Sequence, residues 1–211
     1  QAAAQRGQQQ GLPEDQPQHI MGLDGNLRDE FSRVLFGARV SLFVGFVTVG
    51  FGIVIGTIIG AIAGYAGGRS DNILMRLMDV VLSFPSLLLA IVIVTVLGAG
   101  LINAQIAIGI VSIPVFARVM RASVLSIREQ DFVTASRALG ESGRGILFRR
   151  ILPNALTPLV VQGTLGIGGA ILEVAALSFL GLGAQPPLAE WGSMIAADRQ
   201  FITTVPTLVL F

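Results

Sequence analysis

The sequence predicts an all-α membrane protein, a polytopic helical bundle, and three observations carry that prediction. Of its 211 residues 53% are hydrophobic and only 13% charged, with a mean hydropathy of +0.75; soluble domains average roughly 25% charged residues. Charge-free stretches are long: Val40 to Gly68 covers 29 residues and Val80 to Ala117 covers 38. Between them lie short polar connectors rich in Arg. A buried soluble core does not require such unbroken apolar runs, whereas a span of about 20 residues through lipid does.

Composition excludes several classes of function. The formal net charge is +1, far from the concentrated basic face that nucleic-acid binding needs. The chain has no Cys, so disulfides and thiolate metal sites are ruled out. His19 is the one imidazole; in a polar stretch without a second one it reads as a surface side chain and no metal ligand.

The elements follow in order. Residues 1–19 are Gln-rich and have no apolar core of a signal peptide, so they read as a polar lead-in. Within Arg28 to Ala38, Phe31, Val34, Leu35 and Ala38 share one helical face with Arg28, Asp29 and Arg33 off it, which predicts an interfacial helix. Residues 1–38 thus form an N-terminal segment and residues 39–211 a transmembrane domain. In the first span Gly52, Gly56, Gly60 and Gly64 recur every four residues, a stripe that lets helix backbones approach closely. The 38-residue run divides into two spans at Gly98, Gly100 and Asn103, with Pro85 and Pro114 inside the second and third spans, each removing a backbone donor. The fourth span begins at Ile151 and carries a second small-residue patch at Gly163, Gly166, Gly168 and Gly169. A last apolar run, Phe201 to Phe211, starts a fifth.

Arg distribution sets the orientation. The connectors Gly67–Asp79 and Arg118–Arg150 hold nine Arg in 46 residues, against five in the 69 residues of the opposite side. The positive-inside rule places the first set in the cytoplasm. The amino terminus then starts outside, and the expectation is a fragment lacking a first span and most of the last.

Glu173 is the one acid deep in an apolar run. An intramembrane carboxylate is costly and usually faces a cavity or a partner. It stands as a possible translocation-pathway residue together with Ser178 and the Pro85 kink; the equal alternative is a structural acid bonded to Ser178 or to a neighbouring helix, or one near the outer end of its span.

The Arg118–Arg150 connector holds seven Arg against Glu129, Asp131 and Glu141, and its internal order says more than its charge. Asp131 can cap a short helix over Phe132–Leu139 that Gly140 ends, and Ser142 can cap a second one running towards Pro153. The first helix, about eight residues long, is too short to stand alone in water. Its ridge of Phe132, Val133, Ser136 and Leu139 calls for a groove, which a partner protein supplies.

The stretch Asp131-Phe-Val-Thr-Ala-Ser-Arg-Ala-Leu-Gly140, followed by Ile151-Leu-Pro-Asn154, resembles the "EAA" loop of permeases in binding-protein-dependent ABC importers. Further matches cover nearly the whole chain. Gly22-Leu-Asp24, Arg28-Asp29, Phe31-Ser-Arg33 and Gly37-Ala-Arg39 resemble the dipeptide/oligopeptide/nickel permease family, as do Asp79-Val-Val-Leu-Ser-Phe-Pro85, Leu177-Ser-Phe-Leu-Gly-Leu-Gly183, Gln185-Pro-Pro187 and Trp191-Gly192. The resemblance implies the type I ABC importer permease fold in a cell (inner) membrane. It also implies that the loop over 118–153 carries coupling helices seated in a cleft of an ATP-binding subunit. On that resemblance, coupling contact falls to Asp131, Thr134, Ala135, Ser136, Arg137, Ala138, Leu139 and Gly140. Thr134 and Ser136 stand where the family has Glu and its second Ala, and Glu173 lies one position from the family's usual acid. The implied partners are a homologous second permease, two ATP-binding subunits and an extracytoplasmic binding protein. ATP and Mg would bind to those subunits, because this chain has no G-x-x-x-x-G-K-[ST] motif and is not expected to be an enzyme. Peptides, nickel chelates and related solutes are the family's substrates. A secondary transporter or channel is the alternative, which predicts several intramembrane charges or broken helices in paired halves.

Overall fold

The computed structural model describes residues 28–201 together with Met21, Asp24 and Asn26. Helices α1 (Glu30–Ala66), α2 (Gly68–Leu82), α3 (Ser86–Leu97) and α4 (Leu101–Arg128) come first. A short α5 (Asp131–Ala138) leads to the long α6 (Gly143–Phe179), and α7 (Trp191–Asp198) follows. Residues Ile146–Ile151 within α6 are wound as a π-helix. By length and composition α1, α4 and α6 are each able to cross a membrane, and α2 with α3 forms a fourth, broken span bent by 90°.

The bundle is organised by side-chain size. The inward face of α1 carries Gly45, Thr48, Gly52, Gly56, Gly60 and Gly64, all buried. Its bulky residues Phe43, Phe46, Val54 and Ile58 point outward and are exposed. That inversion fits lipid, which solvates large apolar groups as well as a protein core does, so contact area comes from backbones that approach closely. The glycine stripe lies directly on α4. A Cβ on Gly52 would stand 2.2 Å from Ser112 Oγ, on Gly56 2.6 Å from Phe116 Cβ, and on Gly60 2.3 Å from the Ala117 carbonyl oxygen. Gly64 meets Val124 in the same way, at 2.9 Å. From α6, Gly163 admits Ile53, which a Cβ would meet at 2.6 Å. Gly166 faces Phe116 and Val49 at ordinary contact distance, but the rest of the predicted second patch does not close on a neighbour: around Gly168 and Gly169 an added Cβ finds nothing within 4 Å.

Three expectations are corrected. The interfacial helix over 28–38 is no separate element, because α1 runs unbroken from Glu30 through Ala66. At 1.5 Å per residue α1 is about 55 Å long against about 30 Å of hydrocarbon, so its first turns project beyond the membrane. The Gly67–Asp79 connector is helical, forming most of α2. Pro85 does not kink a continuous span; it is the N-cap of α3, and Ser83 to Pro85 separates two helices. Pro lacks the donor that would continue the ladder, and it drives the preceding residue out of the helical region. Pro114, by contrast, sits inside α4 as expected. The predicted division at residues 98–103 is present: Gly98 has φ 96°, and Asn103 Nδ2 donates to the carbonyls of Leu97 (3.1 Å) and Gly98 (2.9 Å). Residues 1–19, with His19, and residues 202–211 of the fifth apolar run lie outside the described residues.

The projecting end of α1 is tied down by polar bonds. Asp24 is buried and accepts from the backbone N–H of Asn26 and Arg28, each at 2.8 Å, and from the guanidinium groups of Arg28 and Arg33. Burial alone would raise the Asp24 pKa, but these donors outweigh it and hold the carboxyl below its ordinary value. A depressed folded pKa adds stability above the unfolded value of about 3.9, lost only as pH falls through the lower folded value, so this knot persists at any physiological pH. Asp29 caps α1, accepting from Ser32 N–H at 2.9 Å. Trp191 Nε1 donates to the Val34 carbonyl at 3.1 Å, over Gly37, where a Cβ would come within 3.1 Å of the indole. Glu190, 1% exposed, caps α7 by accepting from Gly192 and Ser193 N–H at 3.0 Å each.

The glycine stripe yields a paired prediction. Gly60→Ala drives a methyl into a carbonyl of α4 and should cost about 1–3 kcal/mol, read as a lower thermal denaturation midpoint in detergent. Gly50→Ala, on the same helix but with nothing within 4 Å of an added Cβ, should be neutral or stabilise by up to about 1 kcal/mol. Equal behaviour of the two variants would contradict the interlock.

Candidate functional site

The Arg118–Pro153 loop contains two capped helices, built from local signals. Gln130, extended at φ −78° and ψ 151°, is the N-cap of α5 and makes no side-chain capping bond. Asp131 is therefore no cap, contrary to expectation; as the first helical residue it sets its carboxylate against the positive end of the helix dipole. The far end is as the sequence predicts. Gly140 adopts φ +80°, its N–H donates to the Arg137 carbonyl at 3.1 Å, and Glu141 N–H donates to Ser136 at 3.1 Å. This pair of bonds is the Schellman closure. A side chain at Gly140 would pay the left-handed steric cost of roughly 1–2 kcal/mol. Ser142 caps the next helix, accepting from Gly145 N–H at 3.2 Å, and that helix runs through the π-turn and Pro153 into α6 without interruption.

The short helix is held to the bundle by what it buries. Val133, Ile146 and Ile151 are fully enclosed. Tyr65 Oη, near the end of α1, donates to the Gly143 carbonyl at 2.8 Å, and Arg128 Nη1 donates to the Gly64 carbonyl at 3.0 Å. Arg150 pairs with Glu141 at 3.2 Å. An eight-residue helix has too few hydrogen bonds to be stable alone; these contacts substitute for length.

The ridge expected along α5 is divided between two faces. Val133 and Ser136 point into the protein, so Ser136 of the proposed contact set is buried. Asp131, Thr134, Ala135, Arg137, Ala138, Leu139 and Gly140 are exposed. Leu139 is 88% exposed, with Phe132 and Phe148 also uncovered nearby in the loop. The free surface thus combines a projecting Leu, small residues and a guanidinium.

Of the three pathway candidates, the structure brings two together. Ser86 Oγ, immediately after Pro85, donates to Glu173 Oε1 at 2.9 Å. The Glu173 bond therefore goes to the neighbouring helix α3 and not to Ser178. Ser178 is buried and its Oγ accepts from Ala184 N–H at 3.0 Å, closing the turn after α6. The five-residue step from Glu173 to Ser178 puts them about 140° apart around the helix.

Sequence reasoning missed a pair of ties between α2 and α4. Asp71 accepts from Arg121 through two bonds of 2.5 and 2.6 Å, and Asp79 accepts from Arg118 at 2.5 Å. With Asn72 and Met75 these four line a polar cleft. The signal was two acids on one side and two Arg on the other, running in opposite directions along the chain. It is readable only once α2 is known to be a helix.

Residues 56–211 match the family model described as "Binding-protein-dependent transport system inner membrane component". The chain is 52% identical over 194 residues to the dipeptide transport system permease protein DppC of Alkalihalophilus pseudofirmus, covering 92% of this chain and 64% of that protein. It is 44% identical over 200 residues to DppC of Haemophilus influenzae, covering 92% of this chain and 68% of the relative. It is 43% identical over 193 residues to the glutathione transport system permease protein GsiD of Pectobacterium atrosepticum, with 92% and 64% covered. The chain thus spans a little under two thirds of the length of most of these curated relatives. In fold it is similar to a chain of the inward-facing MetNI methionine ABC transporter, with a TM-score of 0.62 at 20% identity, covering 85% of this chain and 87% of that one. With a family model matching most of its length and membrane-crossing helices in its structure, the chain belongs to the inner-membrane components of binding-protein-dependent transport systems.

Proposed function

We propose that the chain is the transmembrane permease subunit of an ATP-driven ABC importer for short peptides, forming half of the translocation pathway. The observation that carries this reading is the loop geometry: a short helix that buries Val133 and leads to a start of α6 held by the Tyr65–Gly143 bond, with Leu139 left 88% exposed. A large apolar side chain held out on a rigid, charged loop is the knob that a groove in a partner accepts. Family membership supports the same assembly: a second homologous permease, two ATP-binding subunits that hold ATP and Mg, and an extracytoplasmic binding protein. Hydrolysis then takes place in the partners, and this chain is no enzyme by itself. Family membership also sets aside the secondary-transporter alternative. Relatives named for dipeptide, di/tripeptide and glutathione transport favour a peptide over a nickel chelate.

Mechanically, closure of the ATPase pair would press on Thr134, Ala135, Arg137, Ala138 and Leu139. The force passes to α1 through Gly143 and Gly64, and to α6 through the continuous helix after Ser142. Ser136, being buried, transmits the load and does not touch the partner.

Two experiments test this. A photo-cross-linker at Ala135 in the assembled transporter should capture an ATP-binding subunit, while one at Leu97, at the opposite end of the bundle, should not; the reverse pattern would refute docking at α5. Leu139→Asp should leave ATP hydrolysis measurable but cut substrate import at least tenfold, the scale of a lost anchor of about 1.4 kcal/mol or more. Val133→Asp, which buries a charge without a partner, should instead unfold the loop locally and make the chain cleavable by trypsin at Arg137 and Arg144. Normal import by Leu139→Asp would contradict the proposal.

A further inference from the structure

Glu173 and the break between α2 and α3 meet at a depth where neither belongs in lipid. The α3–α4 turn and the turn after α6 lie at one level, joined by the bond from Gly100 N–H to the Leu182 carbonyl at 3.0 Å. Counted from Leu97, Ser86 is about 16 Å down α3; counted from Phe179, Glu173 is about 9 Å down α6. Both positions fall inside a hydrocarbon layer of about 30 Å. Leu82, Ser83, Phe84, Pro85 and Ser86 are all exposed, and Ser83 to Pro85 are not helical. Irregular backbone at membrane depth persists only when buried in protein or facing water. A carboxylate at that depth obeys the same rule.

Glu173 is part-exposed, and its hydrogen bond comes from a neutral hydroxyl. Among the described residues it has no basic partner. Beside it Gly168 and Gly169 have nothing within 4 Å of an added Cβ, so no other described part of the chain covers this stretch of α6. An acid with a neutral partner and a break in the helix ladder thus meet at one place, where each must face a cavity or protein and not lipid.

We propose that Glu173, oriented by Ser86, is a cation subsite of the translocation pathway that receives the protonated amino terminus of the transported peptide. This rests on the peptide-importer reading above. The chemistry is the part shared by dipeptides, tripeptides and glutathione: each carries a free α-ammonium group, whatever its side chains. A single fixed carboxylate with a neutral orienting donor matches that group and leaves side chains unread.

The test uses the assembled transporter, permease pair plus ATP-binding subunits, without the binding protein. A hydrophobic carbodiimide should modify Glu173, located by peptide mass mapping. The dipeptide Ala-Ala at millimolar concentration should slow that labelling, whereas N-acetyl-Ala-Ala should not. In the complete system, Glu173→Gln should reduce dipeptide import about tenfold, the scale of a lost charged hydrogen bond, while Glu173→Asp keeps most of it and Ser86→Ala gives a smaller loss. Failure of the carbodiimide to reach Glu173, or equal protection by both peptides, would overturn the subsite. Wild-type import of dipeptide by the same transporter once the binding protein is added keeps those outcomes separate from the broader reading, which falls if no peptide is imported at all.

Discussion

The rest of the structure depends on the contact between α1 and α4, where backbone meets backbone. With Gly at 52, 56, 60 and 64, α1 comes so near that a single Cβ at Gly60 would stand 2.3 Å from a carbonyl oxygen of α4. In lipid there is no hydrophobic drive to bring helices together, so that proximity must come from shape. The consequence is a fixed register. Tyr65 and Gly64 at the end of α1 arrive beside the start of α6 and the end of α4, where they bond Gly143 and Arg128. A looser pair of helices would leave those bonds unmade, and α5 without a support.

The two ends of the bundle are then built differently for different work. At one end, an eight-residue helix is kept short by a Schellman closure and held by its buried Val133, with its outward face left free and a serine cap starting α6 just after it. At the other, the projecting start of α1 is fixed by the Asp24 knot and by Trp191 lying over Gly37. Between them α2 and α3 form the least regular part. Two Arg–Asp ties on α4 hold α2, and the break at Pro85 delivers Ser86 to Glu173.

What was legible in the sequence follows the range of the physics involved. The all-α membrane class, the α3–α4 turn, the Gly140 stop and the Ser142 cap depend on neighbours within a few residues, and all are present. The glycine stripe was readable as close packing because period four is a property of one helix. Three readings failed where a distant partner decides. Amphipathicity over 28–38 does not reveal that α1 continues through it. Charge over 67–79 reads as a loop, although α2 is helical and turns its two acids towards α4. The ridge of α5 was drawn as one face, but the bundle claims Val133 and Ser136 and leaves Thr134, Ala135 and Leu139 outside. Asp131 and Glu173 show the same limit on a smaller scale, since the cap and the bonding partner are each one geometric choice among several that the sequence permits.

Tied through the start of α6 and the end of α4, α5 holds a fixed place relative to α1 and moves with it. Electron–electron resonance distances between spin labels at Phe132 and Val54, both exposed, test it most directly in the assembled transporter with and without ATP. The account predicts one narrow distance that stays the same in both states while distances between the two permease subunits change. A distance that broadens or shifts with ATP would mean that α5 moves independently of the bundle, and would contradict it.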